Sequence, residues 1–216
     1  MAARLLAALL LGAVLASAAI AATDPRSEQR RLRPADVALA KRTNLRLSEL
    51  AGGWVRYAAP KSGSTTRCPG YSPDLSRFTI TGEAQASFRH PNGFAISSAV
   101  QVYPSRAQAV ADFKAGAKPG LTRCLARLFE TDFARGAGGR GTTLSSRMVA
   151  SPRLGERAAW YRLVGRLTVR GVTARVYMDV LAFQTGRSQA ALVSAGLGGP
   201  IRDQVTLGRT LAARMR

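Results

Sequence analysis

From residue 78 to 88 every even position is apolar or small and every odd one polar. Phe78, Ile80, Gly82, Ala84, Ala86 and Phe88 alternate with Thr79, Thr81, Glu83, Gln85 and Ser87. A period of two predicts a strand with one buried face. The next such run places Phe94, Ile96, Ser98, Val100 and Val102 on one side. The connection must keep both even faces together, because a slip of one residue turns a strand inside out. A two-residue Asn92-Gly93 turn would set Phe88 against Ser97 and fails that test. A three-residue Pro91-Asn92-Gly93 loop sets Phe88 against Ile96 and Ala84 against Val100. Proline suits its first position and glycine its left-handed third.

The last third of the chain alternates again. Tyr161, Leu163, Leu167 and Val169 share one face, and Val172, Ala174, Val176, Met178 and Val180 share the next. An Arg170-Gly171 turn pairs Val169 with Val172 and Leu163 with Met178. A Thr185-Gly186 turn then pairs Met178 with Val193 and Val180 with Ala191. Three consecutive segments therefore form a meander with one common apolar face.

Helical spacing fills the remainder. Pro34-Ala35-Asp36 opens a helix to about Asn44. Ser105-Arg106-Ala107-Gln108 is a capping box for a helix with Val110, Phe113 and Ala117 on one side. Pro119 opens another to about Phe133, with Leu121, Cys124, Leu125 and Leu128 at i, i+3, i+4 and i+7. Ala134 to Gly141 reads as a flexible glycine-rich loop, and 142–150 as a strand. Pro200 begins a final helix to Arg216 with Ile201, Val205, Leu207, Leu211 and Met215 inward. The fold class is α+β: an antiparallel sheet, hairpin plus meander, with helices packed on it and one disulfide.

The N-terminus has the three parts of a secretory leader. A basic start at Arg4, an apolar run from Leu5 to Leu15 and small residues up to Ala21 place a signal peptide at 1–21. The alternative is an uncleaved membrane anchor, since Leu5 to Ala22 reaches the ~18 residues of a minimal span. Residues 22–33 read as a flexible lead and 34–216 as a single domain. Export to the cell envelope or beyond makes the two cysteines partners. Cys68 lies in a Pro/Gly-rich loop, Cys124 on a helix, and a bridge would pin one to the other.

The chain carries 32 Lys and Arg against 12 Asp and Glu, a net charge of +20. Such a surface attracts anions, although its cations are scattered and mostly arginine. The single histidine, His90, sits at the hairpin tip with no nucleophile or acid placed by the sequence beside it. With both cysteines paired, no zinc site is expected, nor any calcium loop or other cofactor motif. A carboxylate pair for glycan hydrolysis could converge from distant positions. Glu83, Glu130 and Asp179 are its leading members.

The polar face of the meander is more specific. Its register sets Arg162 opposite Asp179, a favourable pair, and Arg166 opposite Arg175, an unfavourable one unless an anion lies between. Trp160, Val164, Tyr177 and Leu192 surround them. Arg162, Arg166, Arg175 and Tyr177 therefore form the candidate anion-binding site, for a small anion or a wall polymer, with nucleic acid disfavoured. The bland alternative is that both arginines splay into water.

A further pattern is carried by Asp36 and Leu39, Leu47, Leu50 and Gly53-Trp54, and the loop cysteine. It continues through Ser97-Ser98-Ala99-Val100, Ala109, Asp112-Phe113, Cys124-Leu125 and Leu154-Gly155-Glu156-Arg157. It resembles secreted actinobacterial proteins related to the extracellular sensor domains of mycobacterial serine/threonine kinases. The resemblance implies a PsbP-like antiparallel sheet with flanking helices, and ligand sensing outside the cell without catalysis. Those sensors commonly carry two disulfides, whereas this chain can form one. Taken together, the expectation is an exported, non-enzymatic binding or sensor-like module. A wall-acting hydrolase and a polyanion-binding protein are the alternatives.

Overall fold

The computed structural model describes residues 26–58 and 68–216. The leader and its cleavage site lie outside them. Strands β1 (Gln29–Arg30), β2 (Val55–Arg56), β3 (Thr79–Ile80), β4 (Gly82–His90), β5 (Phe94–Val102), β6 (Gly139–Val149), β7 (Arg157–Val169), β8 (Val172–Thr185) and β9 (Ser188–Leu197) are joined by four helices. These are α1 (Pro34–Thr43), α2 (Arg106–Gly116), α3 (Gly120–Leu128) and α4 (Gln204–Arg214). Seven strands make an antiparallel sheet in the order β2-β4-β5-β9-β8-β7-β6.

The hairpin has the expected register: Phe88 faces Ile96 and Ala84 faces Val100. Gly93 takes φ 81° at the third loop position. The first meander turn also agrees, with Val169 opposite Val172 and Leu163 opposite Met178. Arg170 and Gly171 both have positive φ there, as a tight hairpin turn demands. The second turn is displaced. Gly186-Arg187, not Thr185-Gly186, forms it, so Met178 opposes Ala195 and Val180 opposes Val193. Tertiary contacts hold this choice. Glu156 accepts the Gly186 N–H, Gln184 donates to the Gly186 carbonyl at 2.6 Å, and Arg187 pairs with the buried Asp36 of α1 at 2.6 Å. A displacement of two residues in register returns every side chain to its face, so the alternation along both strands is the same in either register.

The single apolar face expected of the meander is corrected to two. Leu163, Leu167, Val176 and Ala195 pack under Phe129 and Phe133, on the side of α3. Leu181, Phe183 and Leu192 point the other way, into a core with Phe88, Ile96 and Val100, Ala40 of α1, and Leu207 and Leu211 of α4. Helices therefore lie on both sides of the sheet. Alternation cannot reveal this, because it reports only that one face is more apolar than the other.

Two further expectations change. The glycine-rich segment 134–141 is not a flexible loop: α3 runs on through a π-helical turn, Phe129–Phe133, to Gly136, and β6 begins at Gly139. Its glycines serve close approach. A Cβ on Gly141 would lie 3.0 Å from the Phe129 carbonyl, and one on the facing strand at Gly165 2.3 Å from the Phe129 ring. From residue 26 the lead 22–33 is also fixed rather than flexible. Gln29 and Arg31 donate backbone hydrogen bonds to Phe78 and Ile80, and Arg30 pairs with Glu83. The unpaired edge of β3 supplies those acceptors.

Cys68 and Cys124 are bonded, with Cα atoms 5.2 Å apart, across 56 residues of sequence. Both are buried. Among the described residues no helix is long and apolar enough to cross a membrane.

Candidate anion-binding face

β6, β7 and β8 form one edge of the sheet, and the stretch of β8 from Thr173 to Asp179 lies beyond Leu181 and Phe183, by which β8 joins the α1 and α4 core. On this face β7 contributes Arg162, Val164, Arg166 and Thr168, and β8 contributes Asp179, Tyr177, Arg175 and Thr173 opposite them. Arg162 grips Asp179 with two hydrogen bonds, at 2.7 and 3.0 Å, and the Trp160 indole donates a third at 3.2 Å. Asp179 is only 1% exposed. A buried carboxylate is tolerable when its lone pairs are filled in this way. The Arg162 guanidinium also stands 5.1 Å from the centre of the Trp160 ring. Arg162 is therefore committed to a structural clasp.

Arg166 and Arg175 face each other directly, and both are exposed. Neither has an acidic partner among the described residues. Like charges placed opposite on a sheet repel. Tyr177 is half-buried beside them, across from Val164.

Sequence reasoning missed the contribution of β6. Its register slips between Thr143 and Ser145, leaving Leu144 as an extra residue. Before the bulge, Arg140 and Thr142 oppose Thr168 and Arg166; after it, Ser145 and Arg147 oppose Val164 and Arg162. All four thus point to the same face. In an unbroken strand Arg140 and Arg147, seven apart, would point to opposite faces. β6 thus adds two cations, of which the bulge contributes Arg147, and it makes a second like-charged pair, Arg147 against Arg162. Only the pairing of β6 to β7 could have revealed it.

The other chemistry considered from sequence is dispersed. Glu83 of β4, several strands away, pairs with Arg30, and Glu130 accepts the Thr143 N–H on the side of α3 at 2.8 Å. Asp179 lies on the opposite face from both. No two of them confront each other as a hydrolytic pair requires. His90 accepts from the Asn92 N–H through Nδ1 and meets the Gly52 carbonyl through Nε2, 3.2 Å each, with Trp54 edge-on at 5.5 Å. Its ring ties the hairpin tip to the Gly52-Gly53 loop. Among the described residues no cluster of His, Cys, Asp or Glu could hold a metal ion.

A second group that the sequence did not show surrounds Asp112 of α2. This residue is 5% exposed and accepts hydrogen bonds from Tyr103 at 2.8 Å and Gln189 at 2.9 Å through one carboxylate oxygen. Its other oxygen is buried without a partner. Burial pushes its pKa up, and also that of Glu28, which the Asp112 charge raises further. Tyr71, which donates to the Gly116 carbonyl nearby, is pushed up to about 12, chiefly by burial.

No family model and no curated protein matches the chain. Solved structures give weak likenesses at the level of fold. An uncharacterised protein from Mycobacterium smegmatis is 12% identical, covering 83% of this chain and 94% of its own, with a TM-score of 0.44. LpqN of Mycobacterium tuberculosis, involved in cell envelope biogenesis, is 10% identical over 74% of each chain, with a TM-score of 0.27.

Proposed function

We propose that the chain is an exported, non-enzymatic binding module whose ligand is anionic and docks on the outer face of β6, β7 and β8. The observation that carries this reading is the Arg166–Arg175 pair, exposed and mutually opposed with no carboxylate among the described residues paired to either. Folding has placed two cations side by side, where an anion between them relieves their repulsion. The Cys68–Cys124 bridge supports an oxidising, extracytoplasmic compartment. The sensor-like part of the reading rests on the sequence resemblance. Catalysis is disfavoured because Glu83, Glu130 and Asp179 each have a structural duty in a different place.

Calorimetric titration with tripolyphosphate at low salt tests the site. The native protein should bind saturably. The double variant Arg166→Gln/Arg175→Gln should lose about tenfold in affinity, as expected for removing two charge-assisted contacts, while remaining folded. Unchanged binding in that variant would end the proposal.

A further inference from the structure

The arginine pair belongs to a longer tract. Along β6, Arg140 and Arg147 are paired to Thr168 and Arg162, which are six residues apart on β7. At roughly 3.3 Å per residue the tract runs about 20 Å, and three strands make it about 10 Å wide. It holds five arginines: Arg140, Arg147, Arg162, Arg166 and Arg175. The one carboxylate paired among them, Asp179, is consumed by Arg162. Between the cations lie four hydroxyls, Thr142, Ser145, Thr168 and Thr173, and one half-buried ring, Tyr177. A single small anion can satisfy one opposed pair but leaves Arg140 and Arg147 at the far ends unanswered. A chain carrying charge at intervals satisfies them all.

Resting on the reading above, we infer that this face binds a linear phosphate-bearing polymer, lying along β6 and β7, rather than an isolated anion. Guanidinium forks match phosphate oxygens in pairs. Thr142, Ser145 and one member of the Thr168–Thr173 pair, whose hydroxyls are hydrogen-bonded to each other at 2.8 Å, can donate to the remaining oxygens or to sugar or glycerol groups between the charges. Single-stranded nucleic acid is disfavoured by the lining. Binding of bases relies on exposed aromatic platforms, whereas Trp160 packs against the apolar core and beneath Arg162, and Tyr177 is half-buried. The Leu144 bulge is the device that builds the tract, since it brings both ends of β6 to one face.

The test uses the full chain and four probes at equal phosphate concentration. These are tripolyphosphate, long-chain polyphosphate, a poly(glycerol phosphate) and a single-stranded DNA oligonucleotide. Long polymers should bind at least about tenfold tighter than tripolyphosphate, with affinity falling steeply as salt rises. Arg140→Gln/Arg147→Gln should cost the polymers about tenfold and lessen the salt slope, while tripolyphosphate changes by less than about twofold. The tighter of the two polymers identifies the source of the phosphate. Should the polymers bind no better than tripolyphosphate, or ignore the Arg140/Arg147 variant, the tract is disproved and the Arg166–Arg175 site stands. Absence of binding by every probe removes both. DNA binding tighter than either polymer overturns the assignment to a polymer without bases.

Discussion

Arginines that share one face of β7 and β8 have opposite physical meanings. Arg162 fills two lone-pair directions of a carboxylate that is 1% exposed. Removing it leaves that charge buried and half-solvated, so Arg162→Gln should destabilise the fold by about 3 kcal/mol. Urea unfolding will show it as a lowered midpoint with an unchanged slope. Arg166 and Arg175 repel each other and pair with no acid among the described residues, so replacing both by glutamine should leave the midpoint unchanged or slightly raised. Their distinction was half legible in sequence. Parity and a turn gave the pairs Arg162–Asp179 and Arg166–Arg175, but the Trp160 hydrogen bond and the depth of Asp179 come only from packing. Asp112 was not legible at all. Nothing in a helical pattern marks a buried acid whose partners, Tyr103 and Gln189, come from other elements.

That acid makes a pH prediction. A carboxyl whose pKa is higher in the folded than in the unfolded state binds its proton more tightly when folded. Its contribution is fully present below the unfolded value, near 4, and is lost as pH rises through the folded value. Asp112 and Glu28 are both of this kind. Asp36 acts in the opposite sense: the Arg187 hydrogen bond holds its pKa down, so its contribution is lost only in acid, below about 4. Stability measured by urea at a series of pH values should therefore decline from about pH 4 upward. Asp112→Asn should flatten that decline. An unaltered slope in the variant would assign it to Glu28 alone.

At the scale of elements, the disulfide and the helix above β6 are the points of greatest leverage. The bridge closes 56 residues. In the chain-entropy description its loss, in Cys68→Ser/Cys124→Ser, should cost about 4 kcal/mol, which urea unfolding of the variant against the native protein will measure. The seat of Phe129 is more local. Adding one methyl in Gly165→Ala pushes into its ring from 2.3 Å and should cost about 1–3 kcal/mol by overpacking, as a thermal midpoint lowered by several degrees. The glycines of 134–141 looked like flexibility in sequence because glycine serves loops and close contacts equally. Which role applies depends on what packs above them, and that is a tertiary fact.

For the whole molecule, a net charge of +20 makes self-repulsion part of the stability balance. Screening alone raises stability with any salt. A specific anion site adds a further increment by binding only the folded state. Phosphate should accordingly raise the thermal midpoint more than chloride does at equal ionic strength, and the excess should shrink in the Arg166→Gln/Arg175→Gln protein to what exclusion of phosphate from the surface supplies. Equal responses to the two salts in the native protein would leave bulk charge as the whole explanation.

Local patterning by itself determined the α+β class, the three-residue hairpin loop, the first meander turn, the parity of β8 against β9 and the pairing of Cys68 with Cys124. Each depends on neighbours in sequence or on there being only two cysteines. Tertiary structure alone decided that helices cover both faces, that the second meander turn sits at Gly186-Arg187, and that a bulge at Leu144 swings Arg147 onto the basic face. Those outcomes depend on which strand lies beside which and on what packs above it, and period-two alternation is the same for every arrangement that keeps parity.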